Sequence, residues 1–501
     1  MSKKTEILIS IISHTNIGKT TLARTLLRKD IGEINDAPHV TSEPERHVYL
    51  EGKDAVIWLW DTPGFGHVGK LLTRLERENG KIGWIMNEVV DKLFNRALYC
   101  SLSAARNVRA QADVVLYQVN AQEKPEDAGY INDELKLLDS LGKPTIMVLN
   151  RIDITSQFSV TELKNLEKAY LSQFVHYECL ENITVLDAFS RNWLQELKLL
   201  NMILPLLEPA KEKGLSRLIN IFQDQQNQVL KTCAQAGAQV VLHTSHQRFS
   251  LKGDQDPEEV FRKLESELQN QIDKYVKHLM DQWDIEAEGR SQFEADIKQI
   301  SGLAGDNYSE KEIGFLAGFI SGVLSGLAAD IMAGGLSLGG GALLGGLIGG
   351  FGGFSAKKLI DRLRKDEALW KNDALVEIFK RLLAIYLLAE HHGRGKGALV
   401  LEEPAIFLSE AVNKIWPMLK DRVTGLIENA QTNSRFENSL VDLFEYCIGE
   451  IEKEYSSMYP YPPCICRASS AHSTAIFAEN HLAMAIRAWS ILPRSAVHAA
   501  S

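Results

Sequence analysis

The sequence predicts an α/β domain with a mostly parallel sheet and helices on both faces, followed by an all-α region. Three observations carry this. Apolar runs at residues 7–12, 55–60, 112–119, 144–149 and 183–186 alternate with segments of helical spacing, the pattern of a sheet buried on both sides. The first run leads into Ser13-His14-Thr15-Asn16-Ile17-Gly18-Lys19-Thr20, and a helical stretch starting Thr21-Leu22-Ala23 follows at once. From about residue 201 to 461 the apolar periodicity turns almost wholly helical.

Strand, glycine-bearing loop and helix in direct succession form the context of a phosphate-binding loop. Backbone N–H groups of such a loop turn inward to a phosphate chain, and the helix adds the positive end of its dipole. Ser13 stands where the G-x-x-x-x-G-K-[ST] pattern has its first glycine. Residues Ser13, His14, Thr15, Asn16, Ile17, Gly18, Lys19, Thr20 and Thr21 are therefore expected to line a nucleotide. Lys19 would reach the β- and γ-phosphates and the Thr20 hydroxyl would ligate Mg²⁺.

Residues 31–45 are polar and turn-rich, and Thr41 is the candidate to close on Mg²⁺ beside a γ-phosphate. Residues 47–50 and 55–60 read as two strands joined by the turn Glu51-Gly52-Lys53-Asp54. The second ends in Asp61-Thr62-Pro63-Gly64, which offers a carboxylate for the metal and a glycine N–H beside the γ-phosphate. Lys19, Thr41 and Gly64 are thus the candidate catalytic residues, and Thr20, Thr41 and Asp61 the candidate Mg²⁺ ligands. Residues 65–110 read as mostly helical, a longer stretch than a minimal switch needs and a candidate docking or regulatory insert. The run at 144–149 ends in Asn150-Arg151-Ile152-Asp153. Asp153 there can accept two hydrogen bonds from a guanine, which adenine cannot supply, while the Arg151 stem covers the base. After the last strand, the Ala188 N–H is a candidate partner for the guanine O6.

These motifs, S-H-T-N-I-G-K-T, D-T-P-G-F and N-R-I-D, resemble the Era-like branch of the P-loop GTPases, the TrmE–Era–EngA group, over roughly residues 5–200. The resemblance implies a GTPase domain at 1–200 that hydrolyses GTP to GDP and phosphate with Mg²⁺. Phe65 stands where Ras-like proteins carry a water-positioning glutamine, which implies slow unaided turnover. Asn16 stands where potassium-using members of the group carry a cation-ligating asparagine, so K⁺ is a further expected cofactor.

The helical domain is placed at 201–461 and a weakly ordered tail at 462–501. His243, His246, His391 and His392 have no carboxylate or cysteine at a convincing ligand spacing, and no metal site is expected there. Within the domain, residues 313–355 hold one charged residue, Asp330, and glycines recur every four positions at Gly314, Gly318, Gly322 and Gly326 and again at Gly341, Gly345, Gly349 and Gly353. That spacing lines each set along one helix face and lets two helices approach closely, a glycine-zipper hairpin. The apolar stretches of 17 and 24 residues either side of Asp330, with Lys357 and Lys358 following, match a hairpin that enters a membrane from the cytoplasmic side. A buried hairpin inside the helical domain is the other reading. Net charge is −10, which weighs against nucleic acid as a partner. Six scattered cysteines and no secretory pattern at the N-terminus point to a cytoplasmic setting, at or near the inner face of the cytoplasmic membrane. Three functions stay open: a GTP-dependent switch at a membrane or on a protein partner, an RNA- or ribosome-associated assembly GTPase, and a nucleotide-binding scaffold with negligible turnover.

Overall fold

In the computed structural model the first apolar run is β1 (Thr5–Ser13), and α1 (Lys19–Leu27) follows the loop. The described residues are 4–29, 31, 43–77, 85, 95–150, 160–186, 188, 191, 193–250, 257–285, 360–364, 367–370, 372–392, 404–432 and 437–458. The hairpin β2 (Glu45–Glu51) and β3 (Ala55–Asp61) comes next, then α2 (Val68–Arg77) and α3 (Arg96–Gln111). The domain continues through β4 (Val114–Asn120), α4 (Gly129–Leu141), β5 (Thr145–Asn150), α5 (Val160–Phe174), β6 (Leu180–Val185) and α6 (Trp193–Ile203). The six strands are ordered β2-β3-β1-β4-β5-β6. All neighbours run parallel except β2, which is antiparallel to β3 at the edge. Parallel strands send their carboxyl ends to one side, so Ser13, Asp61, Asn120 and Asn150 close the strands along one rim.

Strand side chains alternate between faces, and both faces are covered. Ile7, Ile9 and Ile11 join one core with Leu22 and Leu26 of α1 and Leu197 and Leu200 of α6. On the other face Ser10 Oγ donates to Asn107 Oδ1 of α3 at 2.7 Å, and the Tyr117 hydroxyl donates to Glu134 of α4. The expected helical reading of 65–110 is met by α2 and by α3, whose N-cap Asn95 accepts from the Leu98 N–H; residues 78–84 and 86–94 lie outside the described residues.

Next comes α7 (Pro209–His246). The chain forms two compact units, and the division at Gln226–Asn227 falls inside this helix. In the first unit, Leu215, Leu218, Ile219 and Phe222 of α7 belong to the same core as β1 and α1. Lys211 bridges to Asp113 at 2.6 Å and Arg217 to Asp54 at 3.0 Å.

The second unit contains α8 (Pro257–Gln282), α9 (Asn372–Glu390), α10 (Pro404–Thr432) and α11 (Glu437–Met458). Residues 382–389 of α9 are buried at every position, as a helix must be when partners surround it. The all-α expectation needs one correction. A small antiparallel sheet of β7 (Phe249–Ser250), β8 (Ile360–Arg364) and β9 (Glu367–Trp370), ordered β7-β9-β8, lies in this unit. Strands of two to five residues are too short for a period of two to show in the sequence. Trp370 is buried, and its Nε1–H donates to Gln247 Oε1 at 3.1 Å, next to β7. The glycine-rich segment 313–355 and the tail 462–501 lie outside the described residues. Among the described residues no helix is long and apolar enough to cross a membrane.

Candidate nucleotide-binding site

The loop after β1 is bent by two residues with positive φ, Asn16 at 65° and Gly18 at 97°; Gly18 is the N-cap of α1. Left-handed backbone is cheap at glycine and uncommon elsewhere, so the loop's shape must be held from outside. Phe65 holds one side: its N–H donates to Ser13 O at 2.9 Å and its carbonyl accepts from the Thr15 N–H at 3.1 Å. Asn150 holds the other end. Its Nδ2 donates to Ile17 O at 3.3 Å and its Oδ1 accepts the Ala188 N–H at 2.9 Å. Gln118 Nε2 reaches the same Ile17 carbonyl at 3.2 Å.

Lys19 opens α1 and is buried, with Nζ donating to Ser13 Oγ at 3.1 Å. Burial pushes the Lys19 ammonium below its ordinary range, and the charges of Asp61 and then Glu134 act against that. Thr20 Oγ1 donates to Asp61 Oδ2 at 2.8 Å. Burial raises the Asp61 carboxyl, while Lys19 and the Thr20 hydroxyl hold it down. Gly64 lies where a side chain has no room: a Cβ would stand 3.0 Å from Lys19 Nζ and 3.0 Å from Thr15 Cα.

Two family models match the sequence. One, described as a domain of unknown function (DUF3482), covers residues 178–433, more than half of the chain. The chain belongs to the DUF3482 family. The second, described as 50S ribosome-binding GTPase, covers residues 8–151. The N-terminal part of this DUF3482 chain is accordingly an Era-like P-loop GTPase domain, and the DUF3482 region is an addition behind it. GTPase Era of Heliobacterium modesticaldum is 28% identical over 149 residues, 30% of this chain and 40% of the relative. GTPase Der of Stenotrophomonas maltophilia is 27% identical over 191 residues, 38% of this chain and 33% of the relative. The chain thus spans less than half the length of these two curated relatives. Among solved structures, Era in complex with MgGDPNP and nucleotides 1506–1542 of 16S ribosomal RNA is 21% identical, with a TM-score of 0.31 over 41% of this chain and 58% of that one.

In the DUF3482 chain the fold brings Ser13, Lys19, Thr20, Asp61, Gly64, Asn150 and Ala188 to one end of the sheet, from segments up to 175 residues apart. Thr41, Arg151 and Asp153 lie outside the described residues. The Ala188 N–H is committed to Asn150 Oδ1 at 2.9 Å, and the Ala188 carbonyl accepts from Thr25 Oγ1 at 2.6 Å. Ala188 therefore ties its loop to β5 and α1. The donor set suits Mg²⁺, a hard ion that takes hydroxyl and carboxylate oxygens. Asp61 is 3% exposed, and its Oδ1 has no hydrogen-bond partner among the described residues, an orphaned oxygen beside the Thr20 hydroxyl. Phe65, fully buried and tied through both backbone groups, has no polar side chain to offer a water.

Sequence reasoning missed Gln118, Tyr117, Tyr130 and Glu134. No short motif includes them; Gln118, Tyr130 and Glu134 touch the loop and Tyr117 holds Glu134, contacts that exist only after β4 and α4 have docked beside β1.

Proposed function

We propose that this chain binds GTP with Mg²⁺ and hydrolyses it to GDP and phosphate as a slow nucleotide-dependent switch. The observation that supports this best is the cradle of Lys19, the Thr20–Asp61 pair and Gly64 beneath a loop that opens a helix. Loop N–H groups and the N-terminus of α1 receive the phosphate chain, and Lys19 meets the β- and γ-oxygens. Thr20 and Asp61 would hold Mg²⁺, and Thr41 would join them when a triphosphate is bound; the ion would supply positive charge to the phosphate oxygens. The Gly64 N–H faces the γ-phosphate because no side chain intervenes. Arg151 and Asp153 select guanine. With Phe65 in place of a glutamine, turnover unaided is on the order of 10⁻⁴ to 10⁻² s⁻¹; Asn16 is the residue that would hold a K⁺ ion, which would supply electrostatic stabilisation.

The switch acts on a membrane or protein partner. The four-residue glycine spacing and lone Asp330 of segment 313–355 support membrane contact, argued from the sequence alone. The description of the GTPase family model as ribosome-binding supports a second reading, an RNA- or ribosome-associated assembly GTPase, and the expectation against nucleic acid has no support from that model.

Phosphate release by the purified full chain with GTP or ATP, in KCl or NaCl, tests the reading. We expect release from GTP only, faster in K⁺, with the salt difference lost in Asn16→Ala and all release lost in Lys19→Ala. GTP binding without release would leave the scaffold reading standing. Absence of GTP binding would sink the GTPase reading outright.

A further inference from the structure

The phosphate loop is anchored at three places, and two are made by groups of the recognised motifs together with Gln118. The third lies at the loop's entry and belongs to no motif. Glu134 projects from α4 and is 1% exposed. Its Oε2 accepts the Tyr117 hydroxyl of β4 at 2.7 Å, and its Oε1 stands 2.7 Å from Nδ1 of His14. A carboxyl group this deeply buried is costly unless its oxygens are partnered, and here each oxygen has one partner. His14 is the second residue of the phosphate loop, and its side chain is 36% exposed, so packing alone does not hold it. Its ring also lies against Tyr130 of α4, with centroids 4.6 Å apart at 34°. The loop it begins has left-handed backbone at Asn16 and Gly18, a shape that persists only where the surroundings over-determine it.

We propose that Glu134 is a positioning residue for the nucleotide phosphates. Through His14 it pins the entry of the phosphate loop to β4 and α4, so the loop N–H groups converge before a phosphate arrives. The bond joins residues 120 positions apart and ends on the loop itself. One proton lies between Nδ1 and Oε1, and the anchor needs that hydrogen bond in either direction. It does not need the negative charge. This inference rests on the nucleotide-binding reading above.

The test measures affinity of the full chain for a fluorescent GDP analogue, with the thermal midpoint recorded for each variant. His14→Ala should weaken GDP binding about tenfold, the size expected from one strong hydrogen bond. Glu134→Leu, combined with Tyr117→Phe so that no hydroxyl is orphaned, should weaken it by a similar factor. All three changes together should be no weaker than either alone, because both break one contact. Glu134→Gln should bind within about twofold of the unaltered chain, since an amide accepts from Tyr117 and donates to Nδ1. His14→Ala binding as tightly as the unaltered chain overturns the proposal. So do losses that multiply, and so does Glu134→Gln falling as far as Glu134→Leu, which would assign the effect to charge near Lys19. If the unaltered chain binds no GDP, the nucleotide reading falls and this inference with it. Tight binding by the chain with unchanged variants removes only the role of Glu134.

Discussion

Gly64 shows how little space separates function from collapse at this site. An alanine Cβ there would meet the Thr15 backbone and Lys19 Nζ at 3.0 Å each, and the Thr15 methyl at 3.1 Å. The Thr15 backbone cannot yield without breaking its hydrogen bond to Phe65 O, so Lys19 must move. Gly64→Ala should therefore cut GTP turnover more than tenfold, because Lys19 is asked to meet charge that develops during transfer. GDP affinity should change far less, a split that single-turnover and equilibrium measurements separate. Equal losses in both would mean that the cradle is disrupted as a whole. Lys19, Thr20, Asp61, Gly64 and Asn150 were legible in the sequence because each sits at a fixed offset from a strand end. Glu134 was not, because nothing local distinguishes it from other helix glutamates.

At the scale of elements, α7 is the instructive case. It is one helix of 38 residues within a region whose sequence shows helical periodicity, and such periodicity says that a face is buried without saying against what. Residues Leu215 to Phe222 turn out to complete the core of the sheet, whereas Gly237, in the second unit, abuts Phe444 of α11. A Cβ at Gly237 would stand 2.7 Å from the Phe444 ring. Alanine would gain about 1 kcal/mol in helix propensity but overpack a site where such insertions cost about 1–3 kcal/mol. A ring wedged against Phe379 at 5.1 Å has little freedom to retreat, so we expect Gly237→Ala to lower the thermal midpoint and to leave GDP affinity unchanged. Adding Phe444→Leu should restore the midpoint; if Gly237→Ala alone raises it, the contact is looser than its distances imply. The short sheet β7-β9-β8 makes a related point. Its strands are specified by pairing and by burial of Trp370, neither of which leaves a period in five residues.

For the whole molecule, the boundary of the GTPase unit follows from the same helix. A fragment ending at residue 200 loses Leu215, Leu218, Ile219 and Phe222, all under 10% exposed, from the core. Each such side chain contributes about 1.5–3 kcal/mol on burial, and the four together rival the roughly 5–15 kcal/mol that holds a domain folded. Residues 1–226 should therefore give a cooperative thermal transition that GDP shifts upward, and residues 1–200 should aggregate or unfold without one. A stable, GDP-responsive 1–200 fragment would show that α7 is dispensable. By itself, the sequence determined the mostly parallel sheet, the strand–loop–helix setting of the phosphate loop and the helical nature of most of the second half, because each rests on local spacing and periodicity. Only the tertiary structure decided that half of α7 belongs to the first core, that Ala188 serves Asn150, and that Glu134 grips His14. Those are contacts across 38 to more than 200 residues, and such distances are closed by packing, which no short stretch of chain encodes.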